Sequence, residues 1–170
     1  RAIRALEKPV VCAVNGVAAG AGANLAFACD IVLAAREASF IQAFCKIGLI
    51  PDSSGTFFLP RLAGHARAAG MMLLGDKISA EQAHQWGLIW QVFDGADLMP
   101  KARDLTRHLA TQPTRGLGLT KRALNASVFN DLTTQLDVEE ALQREAGRSH
   151  DFAEGVSAFL AKRPPVFQGR

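Results

Sequence analysis

Two short stretches carry residues whose types and spacing could do chemistry. In LIPDSSGT (Leu49–Thr56) a single carboxylate, Asp52, follows a proline and precedes a run of small residues. A carboxylate there can cap a helix N-terminus by accepting a first-turn amide. It can also serve as a general base that moves a proton. The second stretch is GVAAGAGANLA (Gly16–Ala26). Its glycines allow either tight packing of a helix on a strand or an anion hole made of backbone N–H groups at a helix start. Ala21 sits at that start, between Gly20 and Gly22. A dinucleotide fingerprint would need a third glycine where Leu25 stands, and no Gly-Lys-Ser/Thr follows, so a nucleotide P-loop is excluded.

Other chemistries find little support. Cys12, Cys29 and Cys45 are odd in number and form no Cys-x-x-Cys pair, so neither zinc nor a disulfide framework is indicated. Three free thiols suit a reducing, cytoplasmic setting. His65, His84, His108 and His150 have no ligand-spaced partners. The formal net charge is +3 and no basic run exceeds two residues, which argues against nucleic acid and suits an anionic small ligand. No apolar run reaches the roughly 20 residues of a membrane span. The chain opens at Arg1 without an initiating Met, and it reads as trimmed at its front.

The elements that must position these residues follow from local patterning. PVVCAVNG (Pro9–Gly16) predicts a buried strand, IVLAA (Ile31–Ala35) a second and ASFIQ (Ala38–Gln42) a third. Asn24–Cys29 predicts a buried helix. SSGTFFLPRLAG predicts a short helix broken at Pro60, and His65–Gly75 another closed by Gly75. Ser79 and Gln82 form a capping box, and Leu88–Phe93 predicts one more strand. Leu98, Ala102, Leu105 and Leu109 recur at helical spacing, as do Phe152, Val156, Phe159 and Leu160, with Lys162–Pro165 as the stop. The expected fold is α/β, with ββα units over residues 1–78 and a helical C-terminal region over residues 79–170.

KPVVCAVNGVAAGAGANLAFACDIVLAAREASF followed by GLIPDSSGTFFLPRLAG, SAEQAHQWGLIWQV and EGVSAFLAKRPPVFQGR resembles the enoyl-CoA hydratase/isomerase (crotonase) superfamily across essentially the whole chain. The resemblance implies a ββα spiral core, incomplete at the N-terminus, with a C-terminal trimerisation region. It implies an acyl-CoA thioester substrate and no metal or further cofactor, coenzyme A being part of the substrate. Homotrimers or dimers of trimers are the family's assemblies. It also implies an oxyanion hole in which the Ala21 N–H holds the thioester oxygen. Hydratases of the family use two glutamates, at the positions of Asn24 and Phe44 here, so the acid that remains is Asp52. Gly20, Gly22, Asn24 and Phe44 would line the substrate pocket, and Lys162 would reach the adenine end of CoA. FIQAFCKIGLIPDSSGTFFLPRLAG and HLATQPTRGLGLTKRALNAS (His108–Ser127) point within the family to isomerases that turn 1,2-epoxyphenylacetyl-CoA into oxepin-CoA in phenylacetate catabolism.

Alternatives stay open: a 3,2-enoyl-CoA isomerase, a hydratase, or a fragment that binds CoA without turnover. For Asp52, Phe44, Ile50, Phe57 and Phe58 would wall the carboxylate from water, the setting that strengthens a carboxylate as a base. Asn24 would either bond substrate or brace its turn. Lys162 would otherwise be a solvated helix-end residue.

Overall fold

The computed structural model describes all 170 residues. In chain order the elements are α1 (Ala2–Ala5), β1 (Val11–Val14), β2 (Val17–Ala19), α2 (Ala21–Phe27), β3 (Ile31–Ala35) and β4 (Ser39–Ile41). A 3-10 turn over Ala43–Ile47 leads to α3 (Gly55–Ala63), α4 (His65–Leu74), β5 (Lys77–Ser79), α5 (Ala80–Gln85) and β6 (Gln91–Phe93). The rest is helix: α6 (Gly95–Ala110), α7 (Thr114–Ser127), α8 (Leu132–Ala146) and α9 (His150–Leu160). The contacts divide the chain into two compact units, Val10–Asp104, and Arg1–Pro9 together with Leu105–Arg170. Residues 79–104 group by contacts with the α/β part.

The unit Val10–Asp104 is α/β. One sheet has strand order β1-β3-β6, all parallel, with Val11 opposite Ile31 and Leu33 opposite Gln91. Its central strand β3 is a continuous apolar run because it is covered on both faces: Val32, Leu33, Ala34 and Ala35 are all buried. The second sheet, β2-β4-β5, pairs β2 with β4 in parallel and β4 with β5 antiparallel. Phe40 on β4 is fully buried, and its ring stacks on Phe27 of α2 at 5.1 Å between centroids. Such a pair contributes about 0.5–1.5 kcal/mol beyond its buried area.

Several boundaries differ from the local reading. Helix α2 begins at Ala21, three residues before the expected start. β2 and β5 lack strong local signals and exist through their pairing with β4. The expected strand Leu88–Phe93 contracts to three residues. α3 runs through Pro60 to Ala63. Pro60 removes one intrahelical bond, at a cost of roughly 3 kcal/mol, but the completely buried Leu59 beside it anchors that turn. The cap at Ser79 is as expected: its hydroxyl accepts from the Gln82 amide at 3.1 Å.

The unit of Arg1–Pro9 and Leu105–Arg170 is helical. Lys121 of α7 is buried and donates to the carbonyls of Ile3 (2.8 Å) and Lys8 (3.1 Å). Gly118 meets the same segment, where an added Cβ would lie 2.5 Å from the Glu7 carbonyl oxygen. After α9 the chain turns at Lys162 and returns along the helix. Glu154 takes a bidentate pair from Arg163 (2.6 and 2.8 Å) and the Val166 amide (2.7 Å). Asp151, buried, takes the amides of Gln168 (2.7 Å) and Gly169 (2.8 Å). The apolar stripe of α9 has the expected spacing but faces outward: Phe152, Val156, Phe159 and Leu160 are all exposed.

Candidate active site

Helix α2 organises the candidate site. Gly20 precedes it with φ +53°, and its amide is fixed by the Ile41 carbonyl at 2.8 Å. Only glycine takes that backbone without strain. The first residue of the helix is Ala21, exposed, and first-turn amides have no acceptor within their own helix. The Ala21 N–H can therefore serve an outside oxygen, aided by the helix dipole. The ring of Phe44, buried, lies 3.5 Å from where a Gly20 Cβ would stand, so the aromatic side chain underpins the turn.

One turn further along, Asn24 is completely buried. Its Nδ2 donates to the backbone carbonyl of Asp52 at 2.8 Å, and its Oδ1 accepts from Gln42 Nε2 at 2.8 Å. The amide is thus spent on protein groups, which makes Asn24 a brace between α2 and the Asp52 loop. Gly55, the first residue of α3, closes directly on it: a Cβ there would lie 2.4–2.6 Å from the Asn24 amide atoms. The Gly55 amide also donates to the Asp52 carbonyl at 2.9 Å.

Asp52 is not the cap of α3. The cap position is Ser54, and Ser53 and Ser54 have φ of +49° and +69°. Two successive non-glycine residues in the left-handed region cost of order 1–3 kcal/mol each. That turn sets the Asp52 carboxylate ahead of the helix, and Asp52 is exposed. Asp52 is thus open to solvent, where enclosure by Phe44, Ile50, Phe57 and Phe58 was expected. Ile50 is 81% exposed, Phe44 is turned onto Gly20, and the Phe57 and Phe58 rings meet edge-on at 5.1 Å. The Arg61 guanidinium covers the Phe57 ring at 4.0 Å.

Ala21, Gly20, Gly22, Asn24, Phe44 and Asp52 thus all belong to one unit and converge on α2 and its neighbours. Lys162 belongs to the other unit, where it is exposed at the turn after α9 with φ +51°. Two residues of the site escaped the local reading, Gln42 and Gly55. The signal for Gln42 was a lone amide at the end of the buried run ASFIQ, and for Gly55 a glycine at a helix start.

The enoyl-CoA hydratase/isomerase family profile matches residues 1–170. This chain belongs to that family. Among family members it is 63% identical over 170 residues to an Escherichia coli protein named 1,2-epoxyphenylacetyl-CoA isomerase, covering 100% of this chain and 65% of that protein. It is 51% identical to a Rhodobacter capsulatus protein named as an enoyl-CoA hydratase, covering 100% of this chain and 66% of that one. The crystal structure of an enoyl-CoA hydratase/isomerase of Cupriavidus metallidurans superposes with a TM-score of 0.93 at 37% identity, over 98% of this chain and 63% of that one. The fold is accordingly the crotonase-like α/β fold of the enoyl-CoA hydratase/isomerase family. The chain spans about two thirds of the length of the relatives it matches.

Proposed function

We propose that the protein is an acyl-CoA isomerase that shifts a proton through a thioester enolate, converting 1,2-epoxyphenylacetyl-CoA to oxepin-CoA in phenylacetate catabolism. The observation that carries the reading is α2 itself. It presents the Ala21 amide at its start and, one turn on, grips the backbone of Asp52 through Asn24. One rigid element therefore carries both the candidate oxyanion donor and the mount of the candidate base.

On a 3-enoyl thioester the cycle balances with these two groups. The Asp52 carboxylate takes the proton from the carbon next to the thioester carbonyl. The electron pair moves into a dienolate whose oxygen accepts the Ala21 N–H. The Asp52 acid then returns the proton to the far carbon of the dienolate, and the double bond ends conjugated with the thioester. No metal or redox partner enters this step, and coenzyme A is part of the substrate. An oxyanion donor of this kind contributes about 10²–10³ in rate and a positioned base about 10²–10⁴.

The relative named an isomerase, at 63% identity, supports this branch over hydration. So does the side-chain chemistry. The two positions at which hydratases of the family carry glutamates hold Asn24 and Phe44, both buried and neither able to activate water. We assign Lys162 to the adenine end of CoA. The outward apolar stripe of α9 supports assembly as a homotrimer or a dimer of trimers, since an exposed stripe of that kind marks an interface. The test is conversion of a 3-enoyl-CoA to its 2-enoyl isomer, followed by absorbance, in wild type and Asp52→Asn. Loss of turnover with retained acyl-CoA binding is expected; equal turnover in both would overturn the assignment.

A further inference from the structure

We infer that Gln42 is a positioning residue for Asp52, acting through Asn24; this rests on the reading of Asp52 as the base. The direction of the relay follows from its far end. The Asp52 carbonyl can only accept, so the atom of Asn24 facing it at 2.8 Å must be Nδ2. That turns Oδ1 toward Gln42, which must then donate, and its Nε2 lies 2.8 Å away. Both amides are completely buried, so neither can exchange its partner for solvent. The relay thus has one polarity, fixed from the carbonyl inward.

Gln42 is held for donation alone. Its Oε1 is buried and has no hydrogen-bond partner. A native core rarely leaves such an oxygen orphaned, and here the orphan is what remains once Nε2 has been committed to Asn24. The residue lies between β4 and the 3-10 turn that carries Phe44, so the second sheet fixes its backbone. At the other end, the Asp52 carbonyl accepts two bonds, from Asn24 and from the Gly55 amide, and Ser53 and Ser54 follow in the left-handed region. The carbonyl is clamped from both sides, while no hydrogen bond of this relay reaches the carboxylate. Gln42 therefore sets where the carboxylate stands without touching substrate.

The test compares wild type, Gln42→Met, Gln42→Glu and Asp52→Asn in the intact protein, using a 3-enoyl-CoA substrate. Gln42→Met keeps the volume but loses the donor. Its kcat is expected to fall by about 10- to 100-fold, the scale of an ångström-sized misplacement of a reacting group, with KM unchanged. Gln42→Glu donates only when protonated. Its kcat relative to wild type should therefore rise as pH falls, while that of Gln42→Met stays flat; a purely structural side chain would give no such difference. Wild-type kcat in both Gln42 variants at every pH, with Asp52→Asn inactive, would overturn the inference alone. An active Asp52→Asn would overturn the base reading and this inference with it. Should Gln42→Met fail to fold, the pH profile of Gln42→Glu decides.

Discussion

Replacing Gly55 by alanine tests how tightly the Asp52 loop is seated. Gly55 is the first residue of α3, and on helix propensity alone alanine would stabilise it by up to about 1 kcal/mol. The packing predicts the opposite sign. The new Cβ would stand 2.4 Å from Asn24 Nδ2 and 2.6 Å from both Cγ and Oδ1. Ordinary contact begins near 3.4 Å, so the amide or the helix start must yield by about 1 Å. Such a shift disrupts the bonds to the Asp52 carbonyl and from Gln42. Each buried group left unpaired costs about 1–3 kcal/mol, so with two bonds disrupted the net loss, after the propensity gain, is roughly 1–5 kcal/mol. Thermal unfolding should then fall by about 2–4 °C for each kcal/mol lost, the scale for a chain of this size. The double variant with Asn24→Ala should show strong non-additivity, because the obstructing amide is gone. A Gly55→Ala protein as stable as wild type or more so, or strict additivity in the cycle, would refute the seating described for this loop.

Other expectations follow from the same structure. Gly20→Ala must hold alanine at φ +53°, at a cost of about 1–3 kcal/mol; urea denaturation should show that loss, and kcat should drop at least about tenfold as the Ala21 amide swings away. The C-terminal strap along α9 should be sensitive to acid. Arg163 and the Val166 amide hold the Glu154 carboxyl at about 2. Burial raises Asp151, but the Gln168 and Gly169 amides and His150 outweigh it and leave the carboxyl below its usual value. Both groups are depressed in the folded state, so their contribution is complete above the ordinary carboxylate range near pH 4 and is lost as pH falls toward 2. Amide exchange at Val166, Gln168 and Gly169 should be slow at pH 5 and lose protection across that window; protection that persists to pH 2 would contradict the strap.

Much of this was legible locally. IVLAA predicts a strand with the observed bounds because a short continuous apolar run that opens on β-branched Ile31 and Val32 suits a strand buried on both faces. Gly75 and Ser79 marked their helix ends because left-handed closure and hydroxyl capping are properties of single residues. The parts that eluded the sequence are those that arise from pairing at a distance. β2 and β5 are three residues each and exist through β4. The helix through Pro60 persists because Leu59 is anchored in the core. The stripe on α9 shows helical period but not which surface it meets. At the site, Asp52 reads as a cap because it stands before small residues, yet the left-handed turn at Ser53 and Ser54 moves the cap to Ser54. The Gln42–Asn24–Asp52 relay joins three separate segments, and no spacing rule reports it.

The central claim is that Asp52 moves a proton next to a thioester carbonyl, and solvent isotope exchange tests it most directly. Acyl-CoA incubated in D₂O with the intact wild-type protein should take up deuterium at the carbon adjacent to the carbonyl. With Asp52→Asn, uptake should slow by about 10²–10⁴, while the Kd for acyl-CoA stays within about twofold because the Ala21 amide is untouched. Exchange at the same rate in both proteins would contradict the account.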